Sequence, residues 1–145
     1  MSLVLEPRHL TALQRHGEAD YPREACGLIG GRVNGEHRTV VAVVPMGNAR
    51  RDQSAKRYLI DPEAFRRAVA QFEREGLDVI GVYHSHPDAP PRPSAYDSEQ
   101  AWPWLSYLIV PVARGRAGQP KSWRLSDDRE AFGEEAIIMS ERTTV

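Results

Sequence analysis

Leu77-Asp78-Val79-Ile80-Gly81-Val82-Tyr83, running straight into His84-Ser85-His86, is the stretch on which the fold turns. Residues 77–83 are short, largely apolar and rich in β-branched types, the pattern of a buried strand. Upstream, Asp61 caps a helix with Pro62 in its first position, and that helix runs to about Glu75 and stops at Gly76. Phe65, Ala68, Val69 and Phe72 give it one apolar stripe. Further upstream, residues 2–5 read as a short strand. Pro7 starts a helix to about residue 18, with Leu10 and Leu13 facing inward. Strands over 24–33 and 37–44 are joined at Asn34-Gly35, a strong hairpin dipeptide. A polar loop over 46–56 leads to a short strand over 57–60. Downstream, a short helix near 94–101 precedes a strand over 105–112, a turn over 114–120, and strands over 122–125 and 135–139. The expected fold is therefore α/β: a single domain over residues 1–145, with a mixed β-sheet flanked by helices.

The strand ends in chemistry. Residues i and i+2 of a strand share a face, so His84 and His86 stand side by side, roughly 6–7 Å apart at the backbone. Seven residues later come Ser94 and then Asp97, completing an H-S-H-x7-S-x-x-D string. Two imidazoles and the Asp97 carboxylate can converge on one ion with N–metal bonds of about 2.0–2.1 Å. Three protein ligands leave the fourth tetrahedral position open, as catalytic zinc requires. Cys26 is the single cysteine, so one subunit cannot build a site that needs two. The expected cofactor is one Zn2+ per chain, although the ligand types also admit iron, manganese or cobalt. A plainer reading makes His84 and His86 hydrogen-bonded strand-end groups, and Ser94-Ala95-Tyr96-Asp97 a helix-capping box. The capping box is compatible with the metal site, because a helix start fixes the aim of both side chains. The intervening loop has prolines at 87, 90, 91 and 93, which restrict it and lower its ordering cost.

A hydrolytic site also needs a proton shuttle within hydrogen-bond reach. Glu24 is the best candidate. It opens the apolar, glycine-containing run Ala25-Cys26-Gly27-Leu28-Ile29-Gly30-Gly31, whose mouth would partly desolvate it. Glu6, Glu18, Glu36, Glu63, Glu73, Glu75 and Glu99 are also present, and most acidic residues are simply solvated.

Glu24 ahead of C-G-L-I-G-G, then H-S-H-P, then P-S-A-Y-D, resembles the JAMM (MPN-plus) zinc metalloproteases, and the resemblance runs from about residue 3 to about 138. It implies His84, His86 and Asp97 as zinc ligands, Glu24 as general acid/base and Ser94 as stabiliser of the oxyanion. It also implies a mixed sheet of cytidine deaminase-like architecture. The implied substrate is an amide bond after the C-terminal tail of a ubiquitin-like protein. Residues 46–56 and 112–120 leave no room for long insertions that grip polyubiquitin. The short prokaryotic members that the chain resembles act on small sulfur-carrier proteins ending in Gly-Gly, releasing a cysteine or a C-terminal extension. Such a tail is expected to lie beside an exposed sheet edge. Two alternatives are a non-catalytic MPN-type scaffold and a zinc amidohydrolase on a small molecule. The nucleobase-deaminase signature H-x-E…P-C-x-x-C and the H-E-x-x-H helix are both absent.

Composition sets the remaining expectations. With 145 residues, 41% hydrophobic and 27% charged, the chain can bury a real core. A net charge of −1 gives no reason to expect nucleic acid or an anionic membrane as partner. The apolar run over 105–113 is too short to span a bilayer. Residues 1–8 lack a signal peptide's pattern and cysteine is scarce, which points to the cytoplasm. Trp102, Trp104 and Tyr107 are expected in the core rather than as a substrate platform. Cys26 is expected to be a buried, inert thiol. Ser85, pointing away from its histidine neighbours, is expected to pack or hydrogen-bond. Arg50, Arg51, Lys56 and Arg57 read as a solvated loop, and His9, His16 and His37 carry no assigned role.

Overall fold

A computed structural model describes residues 1–47, 60–94 and 101–140. In chain order these form β1 (Ser2–Leu5), α1 (Pro7–Asp20), β2 (Cys26–Asn34), β3 (His37–Met46), α2 (Pro62–Arg74), β4 (Asp78–Pro87), β5 (Ser106–Ala113), β6 (Arg116–Ala117), β7 (Lys121–Leu125) and β8 (Phe132–Met139). The strands make one mixed eight-stranded sheet in the order β4-β2-β3-β1-β8-β7-β5-β6. β1 lies parallel to β3 and β8, while β2 is antiparallel to β3 and β4.

The α/β class expected from the sequence holds, but the sheet is not open. β4 also pairs in parallel with β5, from Gly81↔Ser106 to Pro87↔Val112, so the sheet curls into a barrel-like wall. A parallel pair needs a crossover of a dozen or more residues, and the chain between β4 and β5 supplies it. β4, the strand that carries the histidines, has β2 on one side and β5 on the other. Hydrophobic patterning reports which face of a strand is buried, not which strand lies next to it.

The two helices sit on opposite faces. Leu13 of α1 packs with Ile29, Tyr83 and Val110, whereas Phe72 and Ala68 of α2 pack with Cys26, Leu28, Val82 and Tyr107. The pleat of β4 separates the sets, sending Val82 one way and Tyr83 the other. α1 approaches closely because Gly17 lacks a side chain: a Cβ there would stand 3.0 Å from Val112 and 3.4 Å from Ser85. Gly27 works in the same way, since a Cβ would enter the Tyr83 ring at 2.3 Å.

Local signals worked well at helix ends. The Asp61 side chain accepts the Ala64 N–H at 3.2 Å, and Gly76 adopts φ +71° just past α2. Phe65, however, is exposed, so the buried stripe of α2 is narrower than the pattern suggests. β6 falls within the expected 114–120 turn, and β8 starts three residues earlier than expected. Most of the short strand at 57–60, the Arg/Lys loop and residues 95–100 of the expected 94–101 helix lie outside the described residues.

The aromatic expectation holds for one residue of three. Tyr107 is buried, but Trp102 and Trp104 are 50% and 61% exposed, stacked 5.0 Å apart, with the Arg129 guanidinium over Trp102. Ala101 and Leu105 take the inward positions of that segment instead. The three unassigned histidines have structural partners. His9 Nδ1 accepts the Glu6 N–H, His16 Nδ1 meets the Tyr83 hydroxyl at 2.7 Å, and His37 pairs with Ser2.

Candidate metal centre

β4 carries its ladder through the histidine pair to Pro87. His84 is fully buried and His86 partly so, with ring centroids 4.9 Å apart. β2 begins at Cys26, directly opposite His84, so Glu24 lies in the segment before the strand rather than at its first position. That segment is fixed to β4 by Ser85. The Ser85 hydroxyl accepts the Ala25 N–H at 2.8 Å, and the Ser85 N–H donates to the Ala25 carbonyl at 3.0 Å. Glu24 is thereby delivered, buried, to the histidine face, with Oε1 3.4 Å from His84 Nδ1. Glu24, His84 and His86 offer ligand atoms that all lie within 4.8 Å of one another.

The proline loop supports this arrangement. His86 Nδ1 lies 2.8 Å from the Pro90 carbonyl, an acceptor, so Nδ1 carries the proton and Nε2 is the basic nitrogen. The Trp123 indole N–H donates to the Pro91 carbonyl at 2.9 Å. Asp88, at φ +53°, accepts the Tyr21 hydroxyl on Oδ2 at 2.5 Å and the Arg114 N–H on Oδ1 at 2.8 Å. The Tyr21 hydroxyl, and then the Arg114 N–H, hold the Asp88 carboxyl below the usual carboxylate range, and the same bond pushes the Tyr21 phenol up. Sequence reading missed Tyr21, Asp88 and Trp123. The one available signal was an aspartate in a stiff loop directly after the histidines.

Ser94 is exposed at the end of that loop, and Asp97 lies outside the described residues. Cys26 is fully buried; burial first, then the charges of Asp20 and Glu24, push its thiol up to about 12. A thiol held there is protonated and unreactive at neutral pH.

The donor set fits a divalent cation. The ligand atoms offered by His84, His86 and Glu24 lie within 4.8 Å of one another, close enough for both imidazoles to reach one ion with the carboxylate beside it. Each group can present a lone pair, and a cation would balance a carboxylate buried beside imidazoles. Imidazole and carboxylate ligands suit zinc and its neighbours in the first transition series.

Residues 6–126 match the family model described as prokaryotic homologs of the JAB domain. The chain belongs to that family, the JAMM-type peptidases. Three relatives show its range. The chain is 41% identical over 112 residues to a desampylase of Haloferax volcanii, covering 75% of this chain and 78% of the relative. It is 38% identical over 104 residues to a probable TtuB-protein conjugate cleaving protease of Thermus thermophilus, covering 71% of this chain and 66% of the relative. A CysO-cysteine peptidase of Mycobacterium tuberculosis is 28% identical over 141 residues, covering 97% of this chain and 92% of the relative. No helix among the described residues is long and apolar enough to cross a membrane.

Proposed function

We propose that residues 1–145 form one JAMM/MPN domain, of cytidine deaminase-like architecture, that works in the cytoplasm as a zinc-dependent peptidase or isopeptidase. Its substrate is an amide bond after the C-terminal Gly-Gly tail of a small ubiquitin-like or sulfur-carrier protein. The observation that carries the reading is the arrival of Glu24, from sixty residues upstream, beside His84 and His86. One Zn2+ per chain would be held by His84, His86 and Asp97. When bound, zinc supplies a Lewis acid that polarises the scissile carbonyl and lowers the pKa of water toward about 7. Glu24 takes the water's proton during attack and returns it to the leaving amine. Ser94 donates a hydrogen bond to the developing oxyanion, where one donor is worth roughly 3 kcal/mol. His84 and His86 are held by β4, and the Pro90 carbonyl fixes the tautomer of His86.

Relatives named as cleaving TtuB–protein conjugates and as a CysO-cysteine peptidase support a protein-tail substrate. The second, which aligns over nearly all of this chain, favours release of a carried cysteine as one outcome of the same hydrolysis.

The test is metal content per chain, measured without a histidine tag. About one zinc is expected in the wild type and much less in His86→Ala. Glu24→Gln is expected to keep metal and fold while cleavage of a Gly-Gly carrier adduct falls by roughly 10²–10⁴-fold. Metal lost in Glu24→Gln would make Glu24 a ligand rather than a base. A wild type that binds no zinc would sink the hydrolase reading and favour a scaffold. Zinc-loaded protein that hydrolyses only small amides would favour the amidohydrolase.

A further inference from the structure

Glu24 has no regular strand beneath it, yet it must keep its place relative to the histidines. The segment that carries it is tied on both sides to one stretch of chain. On the C-terminal side, Ala25 is held through its N–H and its carbonyl by Ser85. On the N-terminal side, Tyr21 donates its hydroxyl to Asp88. Ser85 and Asp88 bracket His86 just as Tyr21 and Ala25 bracket Glu24. Asp88 is itself fixed, because its N–H donates to the Val112 carbonyl at 2.7 Å and its second oxygen accepts the Arg114 N–H. The hairpin that carries Arg114 is tied in turn to α1, through Gln14 to the Gly118 carbonyl and the Ala117 N–H to Glu18. At 2.5 Å, the Tyr21–Asp88 bond has the length of a charge-assisted O–H···O⁻ contact.

We propose that Asp88 is a positioning residue: through Tyr21 it holds the segment bearing Glu24 at its working distance from His86. The inference rests on the functional reading above, in which Glu24 moves the proton and His86 binds the metal. Asp88 touches neither substrate nor metal. Its effect belongs on turnover, because a misplacement of about 1 Å at a reacting group can cost up to about 10²-fold in rate.

The variants are Tyr21→Phe, which removes one hydroxyl, and Asp88→Gly, chosen because glycine tolerates the left-handed φ. Each is assayed as zinc-loaded full chain on a carrier fusion cleaved after Gly-Gly, with zinc affinity measured by chelator competition. Each is expected to lower kcat roughly tenfold, with KM and zinc affinity within about twofold. The double variant is expected to be no worse than either single one, since both break the same bond. Asp88→Asn, which keeps an acceptor for Arg114, is expected to recover part of the loss. Independently of activity, amide hydrogen exchange should quicken over residues 21–25 and stay unchanged in β3. Unchanged kcat in Tyr21→Phe, losses that multiply, or zinc affinity falling in step with kcat would each overturn the inference while the functional reading stands. A zinc-loaded wild type without turnover would overturn both.

Discussion

Two buried clusters of charge and hydrogen bonds lie in this fold, and they are built on opposite principles. In one, the Glu135 carboxylate on β8 accepts the hydroxyls of Ser106 and Ser122, both at 2.8 Å, and Arg124 at 3.4 Å. Arg38 on β3 extends it, donating to the Ile80 carbonyl at 2.9 Å and to Ser106 at 3.2 Å. The Glu135 carboxylate has donors on both oxygens, although Arg124 Nε is buried without a hydrogen-bond partner among the described residues, and the network ties five strands together. In the other, Glu24, His84 and His86 converge as groups that can all present lone pairs. These are residue types that can hold a divalent cation. The contrast lies in residue type rather than in burial: the Glu135 cluster sets hydroxyls and guanidinium groups around one carboxylate, whereas the Glu24 cluster gathers two imidazoles beside a carboxylate.

The largest expected effect, loss of carrier cleavage in His84→Ala, comes with a stability shift that separates the two clusters directly. Zinc added to metal-free wild type should raise Tm, because a ligand at about 100 times its Kd stabilises the native state by roughly 2.7 kcal/mol. For a chain of this size that is of the order of 5–10 °C. His84→Ala should abolish the shift along with carrier cleavage, and Glu135→Gln should leave the shift intact. Differential scanning calorimetry with and without zinc reads both. An identical Tm with and without zinc in the wild type would put the two clusters in the same class and break the comparison.

The next effect falls on the other cluster. Glu135→Ala leaves the half-buried Arg124 and the buried Ser106 and Ser122 hydroxyls without their acceptor. Removing one partner of a buried pair typically costs about 3–5 kcal/mol, so Tm should fall by roughly 10 °C. Zinc content of the folded fraction should not change. A loss of zinc matching the loss of stability would show that the Glu135 network supports the metal site.

How much of this was readable beforehand depends on sequence distance. The histidine pair was legible because two residues on one strand share a face by geometry alone. The Asp61-Pro62 start and the Gly76 stop were legible because caps are local. The approach of Glu24 was legible only through its resemblance to a family pattern, since nothing local brings residue 24 to residue 84. Closure of the sheet through β4–β5 was invisible, as were the roles of Tyr21, Asp88 and Trp123, because each is a long-range pairing of ordinary residue types. Nothing local marks Arg38 and Glu135 for burial, and only the assembled barrel shows them 7% and 2% exposed. The exposed Trp102 and Trp104 mark the opposite error, in which average burial of a residue type stood in for its actual neighbours.

The smallest effect probes how complete the Glu135 network is. Ser122→Ala removes one of the hydroxyls on Glu135 Oε1 and leaves Ser106 on the same oxygen. The carboxylate keeps donors on both oxygens, so the loss should be that of a hydrogen bond to a charged group, about 1.5–3 kcal/mol, rather than that of an exposed charge. Tm should fall by roughly 3–10 °C, less than in Glu135→Ala, with zinc affinity and kcat unchanged. Urea unfolding of Ser122→Ala, Glu135→Ala and the double variant gives the coupling. If the network works as one unit, the double variant should be little worse than Glu135→Ala alone, because the hydroxyl has no carboxylate left to serve. Strict additivity would mean that Ser122 contributes through packing, and that the network is less complete than its distances indicate.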